Sequence, residues 1–256
     1  MSASLLDQLN QICQSFAERP GDIAVIAHSK VDPALSVAIN EDRPFPSASV
    51  IKAAIACAAL DADGLDLSRP VAIGDLDDTF YCSILQAFEP DDQIPLKALI
   101  GLMLIVSDNP ATTAILDAVG LDRVNSWLRM NGLADTNIAV GFDDASLGPP
   151  LRANLTTAHD CLRLLQLIGT DRRYAQIKHM LANNLRNERI PKLLPDTAVI
   201  AHKTGTLNGL MHDVALIESP DTAFYLIVLA DSLPDDHDFG GEIARFSQQV
   251  YGLMAN

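Results

Sequence analysis

The chain is 256 residues long, enough for one generous domain or two interleaved ones, with 48% hydrophobic and 20% charged residues. That ordinary balance excludes a disordered, collagenous or coiled-coil chain. The formal net charge of −15 argues against a phosphate-binding face for DNA or RNA and disfavours adhesion to anionic membranes.

The opening MSASLLDQLN has no basic run and no apolar stretch of signal-peptide length, so a cytoplasmic location is expected. Leu5 to Phe16 has helical apolar spacing, and Pro20-Gly21 ends it. Asp22 to His28 and Ala34 to Asn40 read as two strands, and the short polar link between them predicts a hairpin. Ser49 to Leu60 (SVIKAAIACAAL) then reads as an Ala-rich buried helix opened by a capping-type serine. Leu96 to Val106 is a further helix, too short and too interrupted by Gly101 to span a bilayer. Pro110 to Val119 follows with proline in its first turn, where the missing N–H costs nothing. Arg123 to Met130, Thr156 to Ile168 and Arg172 to Leu185 complete the helical run. Strands return at Thr197 to Lys203, Asp213 to Glu218 and Thr222 to Asp231, and an amphipathic helix, Gly241 to Met254, closes the chain.

This order implies a mixed α/β (α+β) fold: one five-stranded antiparallel sheet flanked by terminal helices, with an all-helical lobe inserted between its early and late strands. Residues 1–40 plus 196–256 are expected to form the sheet lobe and 41–195 the helical lobe. The groove between them is the natural ligand site. Cys13, Cys57, Cys82 and Cys161 are scattered without a C-x-x-C pair and read as small buried hydrophobes. The six histidines lack ligand spacing, so neither a metal nor another cofactor is expected.

Three short motifs carry candidate chemistry. Ser49-Val50-Ile51-Lys52 is an S-x-x-K in which, on a helix, Lys52 lies one turn beyond Ser49 on the same face. A serine hydroxyl needs a base within reach, and a lysine serves only if burial lowers its pKa. Taken alone, the motif equally describes a helix cap beside an exposed lysine. Ser107-Asp108-Asn109 follows an apolar helix and precedes Pro110, which equally describes an Asx-capped turn. Lys203-Thr204-Gly205-Thr206 follows the strand TAVIAH, where a polar turn would also fit.

Together and in this order the motifs resemble the S-x-x-K, S-D-N and K-T-G set of class A β-lactamases and penicillin-binding proteins. LKALIGLMLIVSDNPATTAILD, NLTTAHDCLRLL and RIPKLLPDTAVIAHKTGTLNGLMHDV are similar to further segments of that family, and about 200 residues fall in its order. The resemblance implies a covalent acyl-enzyme on Ser49, with Lys52, Ser107 and Lys203 also catalytic. Ser107 would protonate the leaving group. Asn109 would bind a substrate amide, and Asp108 would hold the loop. Lys203 would attract a substrate carboxylate, because Thr206 to Asp213 contains no arginine. Thr204, Gly205 and Thr206 would bind substrate, Gly205 by allowing close approach and the Thr206 amide by pairing with that of Ser49 as an oxyanion hole.

One departure stands out. Class A β-lactamases clear the acyl group with an omega-loop glutamate acting through water, whereas Ala134 to Ala153 holds no glutamate, only Asp135, Asp143 and Asp144. Three readings follow: hydrolysis of a β-lactam or related amide, a cytoplasmic esterase or peptidase on a small ester or amide, and a penicilloyl-binding sensor that turns over little. Thr79 to Ser83 and Ala134 to Ala153 are the loops expected to shape the pocket. The partner implied is a small-molecule substrate, with no nucleic acid or membrane and with the oligomeric state left open.

Overall fold

The computed structural model of the protein describes residues 4–76, 83–143, 148–235 and 238–255. Five strands, β1 (Asp22–Ser29), β2 (Ser36–Ile39), β7 (Val199–Leu207), β8 (Leu210–Glu218) and β9 (Ala223–Asp231), form one sheet in the order β2-β1-β9-β8-β7. Every neighbouring pair is antiparallel. β1 pairs with β9 across the whole chain length, so the early hairpin and the late meander close one sheet around everything between them.

Both faces of this sheet are buried, which explains why its strands are almost continuously apolar. Along β9, Phe224, Leu226, Val228 and Ala230 face one core, and Tyr225, Ile227 and Leu229 face the other. The first core is closed by α1 (Leu5–Ala17) and α8 (Phe239–Met254), where Phe16 stacks on Phe246 at 4.2 Å between ring centroids. Ser4 caps α1 in a reciprocal box with Asp7, and Asp238 caps α8.

The other face carries α2 (Lys52–Leu60), α3 (Leu96–Ile105), α4 (Asn109–Val119), α5 (Leu121–Met130), α6 (Ala158–Thr170) and α7 (Ala175–Ala182). α2 is buried on all sides from Lys52 to Ala59, so small side chains dominate it and a lysine is carried into the interior. Two small ribbons stay below the length at which a periodic sequence signal registers: β3 (Phe45–Pro46) with β6 (Leu155–Thr156), and β4 (Pro70–Ala72) with β5 (Gln93–Pro95).

Three sequence expectations shift. The helix expected from Ser49 begins at Lys52; a 3-10 turn, Ala48–Ile51, precedes it, and Ser49 makes no capping bond. The strand expected to end at Lys203 runs on to Leu207, because pairing with β8 carries the polar Lys203 to Thr206 stretch past the end of the apolar pattern. The turn is instead Asn208-Gly209, where Gly209 takes the left-handed φ of +67°. The helix expected over Arg172 to Leu185 is α7 alone, after a 3-10 turn at Arg172–Tyr174.

Candidate active site

Ser49, Ser107, Asn109, Thr204 and Thr206 line one cavity of about 670 Å³, although they come from three separate segments. The chain reaches this arrangement through two strained corners. Ala48, just before Ser49, has φ +45°, and Ser107 has φ +65°, both left-handed and unusual without glycine.

The Ser49 turn is held from below and from the side. His212, fully buried, donates from Nε2 to the Pro46 carbonyl at 2.8 Å and accepts at Nδ1 from the Ala230 amide at 3.0 Å. Those two partners assign a neutral Nε2–H ring, and burial pushes its pKa down to about 4. The Ser47 amide donates to the Asn154 carbonyl at 2.6 Å. The Asn154 side chain, also fully buried, accepts from the Ala139 and Val140 amides and donates to the Val140 carbonyl. One asparagine thus ties the Ser49 turn to the loop approaching Phe142.

β7 is the last strand of the sheet, so one of its edges has no strand partner, and the Ser49 turn packs there. A Cβ on Gly205 would lie 3.1 Å from the Ala48 Cβ and 3.3 Å from both the Ser47 carbonyl and the Ser49 nitrogen. The close approach that Gly205 permits is therefore that of the chain's own Ser49 turn.

The Ser49 hydroxyl makes no hydrogen bond to any described residue. Lys52, expected beside it, extends its Nζ to the Ser107 carbonyl at 2.8 Å and Asn109 Oδ1 at 2.6 Å, with Ser107 Oγ farther off at 3.4 Å. Lys203 Nζ donates to Ser107 Oγ and the Thr204 carbonyl, each at 3.0 Å. Ser107 Oγ therefore stands between two lysines that are both fully buried. Burial pushes the Lys52 ammonium well below the usual lysine range, and the Lys203 charge adds to this while Asp108 opposes it. Burial likewise brings Lys203 down to about 7, against the pull of Asp213. A neutral amine has two N–H donors and one lone pair. The two short Lys52 bonds use both donors and leave the lone pair available.

Asp108 performs the loop-holding part expected of it. One carboxylate oxygen caps α4 at the Ala111 amide, and the other accepts from Ser83 Oγ and the Ile84 amide. Of the loop Thr79 to Ser83, only Ser83 falls within the described residues.

Two site residues carried no signal in the sequence. Arg189 lies before β7, yet its guanidinium donates to the Gly205 and His212 carbonyls and, at 2.6 Å, to Thr206 Oγ1. The positive charge beside Thr206 thus does not rest on Lys203 alone. The second is Phe142, buried, with its ring centroid 4.7 Å from Lys52 Nζ. From the loop that lacks glutamate, it is this aromatic face that meets Lys52. Asp143 lines a separate, more open hollow of about 1020 Å³ with Thr113 and Asp117, and Asp144 lies outside the described residues.

The sequence pattern of the Beta-lactamase enzyme family matches residues 5–254. The chain belongs to this family. It is 24% identical over 252 residues to the extended-spectrum β-lactamase PER-1 of Pseudomonas aeruginosa, covering 90% of this chain and 80% of that one. It is also 24% identical over 267 residues to the β-lactamase regulatory protein BlaB of Streptomyces cacaoi, covering 80% and 83%. The solved structure of PBP-A superposes with a TM-score of 0.83 at 24% identity, covering 96% of this chain and 95% of that one, a likeness of fold. Among the described residues no group of side chains has the makings of a metal site, and no helix is long and apolar enough to cross a membrane.

Proposed function

We propose that this member of the Beta-lactamase enzyme family is a serine hydrolase that transfers the acyl group of a small amide or ester, a β-lactam included, to Ser49. The observation that carries the reading is the pair of buried lysines, Lys52 and Lys203, that meet at Ser107 on the wall of the Ser49 cavity. Lys52, held neutral by burial, takes the Ser49 proton. Ser49 Oγ bonds to the acyl carbon, and the amides of Ser49 and Thr206 stabilise the oxyanion. Ser107, polarised by Lys203, delivers a proton to the leaving atom as its bond to the acyl carbon breaks. Asn109 holds the amide of the acyl half, and Thr204, Thr206, Arg189 and Lys203 receive a carboxylate on the other.

The second half-reaction is the weak one. Phe142 supplies no base to activate water against the ester, which favours slow release. A penicilloyl-binding sensor is the second reading on this ground, and an esterase or peptidase using Lys52 and Ser107 for both steps is the third. The division into 1–40 plus 196–256 and 41–195, with substrate between, belongs to the same proposal. So does action on a small molecule and not on nucleic acid, in keeping with the net charge of −15. A cytoplasmic location is part of it too, supported by the buried free thiols of Cys13, Cys57 and Cys161.

Intact-protein mass spectrometry after brief exposure to benzylpenicillin tests the reading, with Ser49→Ala in parallel. A penicilloyl adduct or hydrolysed penicillin, seen with wild type and lost in the variant, is expected. Turnover that survives Ser49→Ala refutes the mechanism.

A further inference from the structure

The cavity beside Ser49 is lined by two arginines, although the chain as a whole carries a net charge of −15. Arg189 is committed to the Gly205, His212 and Thr206 oxygens. Arg186 is exposed, and its guanidinium makes no hydrogen bond or ion pair to any described residue. Its backbone is nonetheless fixed. The Arg186 amide donates to Asn184 Oδ1 at 2.7 Å, and the buried Asn184 side chain donates to the Leu104 and His202 carbonyls. The Leu185 amide donates to the Ile105 carbonyl at 3.0 Å. These anchors set Arg186 against the turn that carries Ser107, the side from which the leaving group departs. Its charge reaches the site: beside the larger effect of burial, it helps depress Lys52, Lys203 and Arg189. Glu188 is the one acid among the described residues lining the cavity.

An arginine with no side-chain partner among the described residues, on an anchored segment and on the cavity wall, is available to an anion that the substrate brings. Building on the acyl-enzyme reading above, we propose that Arg186 is a specificity-determining residue for the departing half of the substrate. The preferred acyl donors release a fragment with two negative charges, such as a dicarboxylate. One charge is received by Arg189, Thr206 and Lys203, the other by Arg186. In the step itself the Ser49 Oγ–acyl bond forms, the bond to the departing atom breaks, and the Ser49 proton leaves on that atom through Lys52 and Ser107.

Two thioesters of N-benzoylglycine isolate this contribution, one releasing thioglycolate with a single carboxylate and one releasing mercaptosuccinate with two. Cleavage is followed by loss of thioester absorbance. Wild type is expected to prefer the mercaptosuccinate ester in kcat/KM. Arg186→Ala should lower that ester's kcat/KM about tenfold more than it lowers the thioglycolate ester's, the size of one charge-assisted hydrogen bond in a partly wet site, because any shift in Lys52 and Lys203 acts on both esters alike. Arg186→Lys should recover part of the loss, and added salt should erode the wild-type preference. Equal losses on both esters, or no loss on either, overturn the assignment of Arg186. Benzylpenicillin separates the two readings. A Ser49 adduct on wild type and on Arg186→Ala, without discrimination between thioesters, removes the Arg186 proposal alone. Neither an adduct nor thioester cleavage by wild type removes the acyl-enzyme reading, and this proposal with it.

Discussion

Replacing Phe142 by glutamate puts a carboxylate where the aromatic face now meets Lys52. A glutamate side chain reaches about as far as the ring centre, so the new charge would lie near 4.7 Å from Lys52 Nζ. At an effective dielectric constant of about 20, a pair at that distance interacts by about 3 to 4 kcal/mol, which raises the Lys52 pKa by roughly two to three pH units. The sign is opposite for the two half-reactions. Acylation needs the neutral amine, so its pH profile should move alkaline by that amount. Deacylation gains a general base, worth roughly 10²- to 10⁴-fold, so the penicilloyl adduct should become short-lived. Timed mass spectra across pH 5 to 10 read both effects, with Phe142→Leu as the uncharged control expected to show neither. An adduct on Phe142→Glu as durable as on wild type, with an unmoved pH profile, would refute the placement of Phe142 as the group that excludes a base. Rapid penicillin turnover by wild type would refute the claim that such a base is needed.

Two further outcomes follow from the frame around the site. Gly205→Ala forces a methyl within 3.1 Å of the Ala48 Cβ and 3.3 Å of the Ser49 nitrogen. The expected cost is about 1–3 kcal/mol of stability, with acylation of Ser49 slowed at least tenfold as its amide is displaced. Gly101→Ala, whose nearest neighbour would be the Met180 Cε at 3.8 Å, should do neither when melting and adduct formation are compared. His212 gives an acid signature. Its folded pKa of about 4 lies below the usual histidine value of 6.5, so the unfolded chain binds the proton first. The stability this depression secures is complete above pH 6.5 and falls by about 3 kcal/mol as pH drops to 4. Urea unfolding at pH 7.5 and 4.5 should show that loss in wild type and a smaller one in His212→Gln; equal losses would discount the histidine.

The amino-acid sequence by itself determined the class of the fold and marked out the candidate site. Strands as apolar as β1 and β9 can only be buried on both faces, which requires helices on each side of one sheet. Ser49, Lys52, Ser107 and Lys203 were legible because the three motifs keep a fixed order along the chain. Tertiary structure decided the rest. The K-T-G stretch is strand and not turn because β8 pairs with it, a long-range fact that local pattern does not carry. Lys52 turns toward Ser107 and Asn109 because burial leaves its N–H donors no water, and those are the oxygens in reach. Arg186, Arg189 and Phe142 belong to no motif and sit far along the chain from Ser49. What brings the arginines to its cavity and Phe142 to Lys52 is packing and backbone hydrogen bonding between distant segments, and a contact of that kind leaves no periodicity in the sequence to be read.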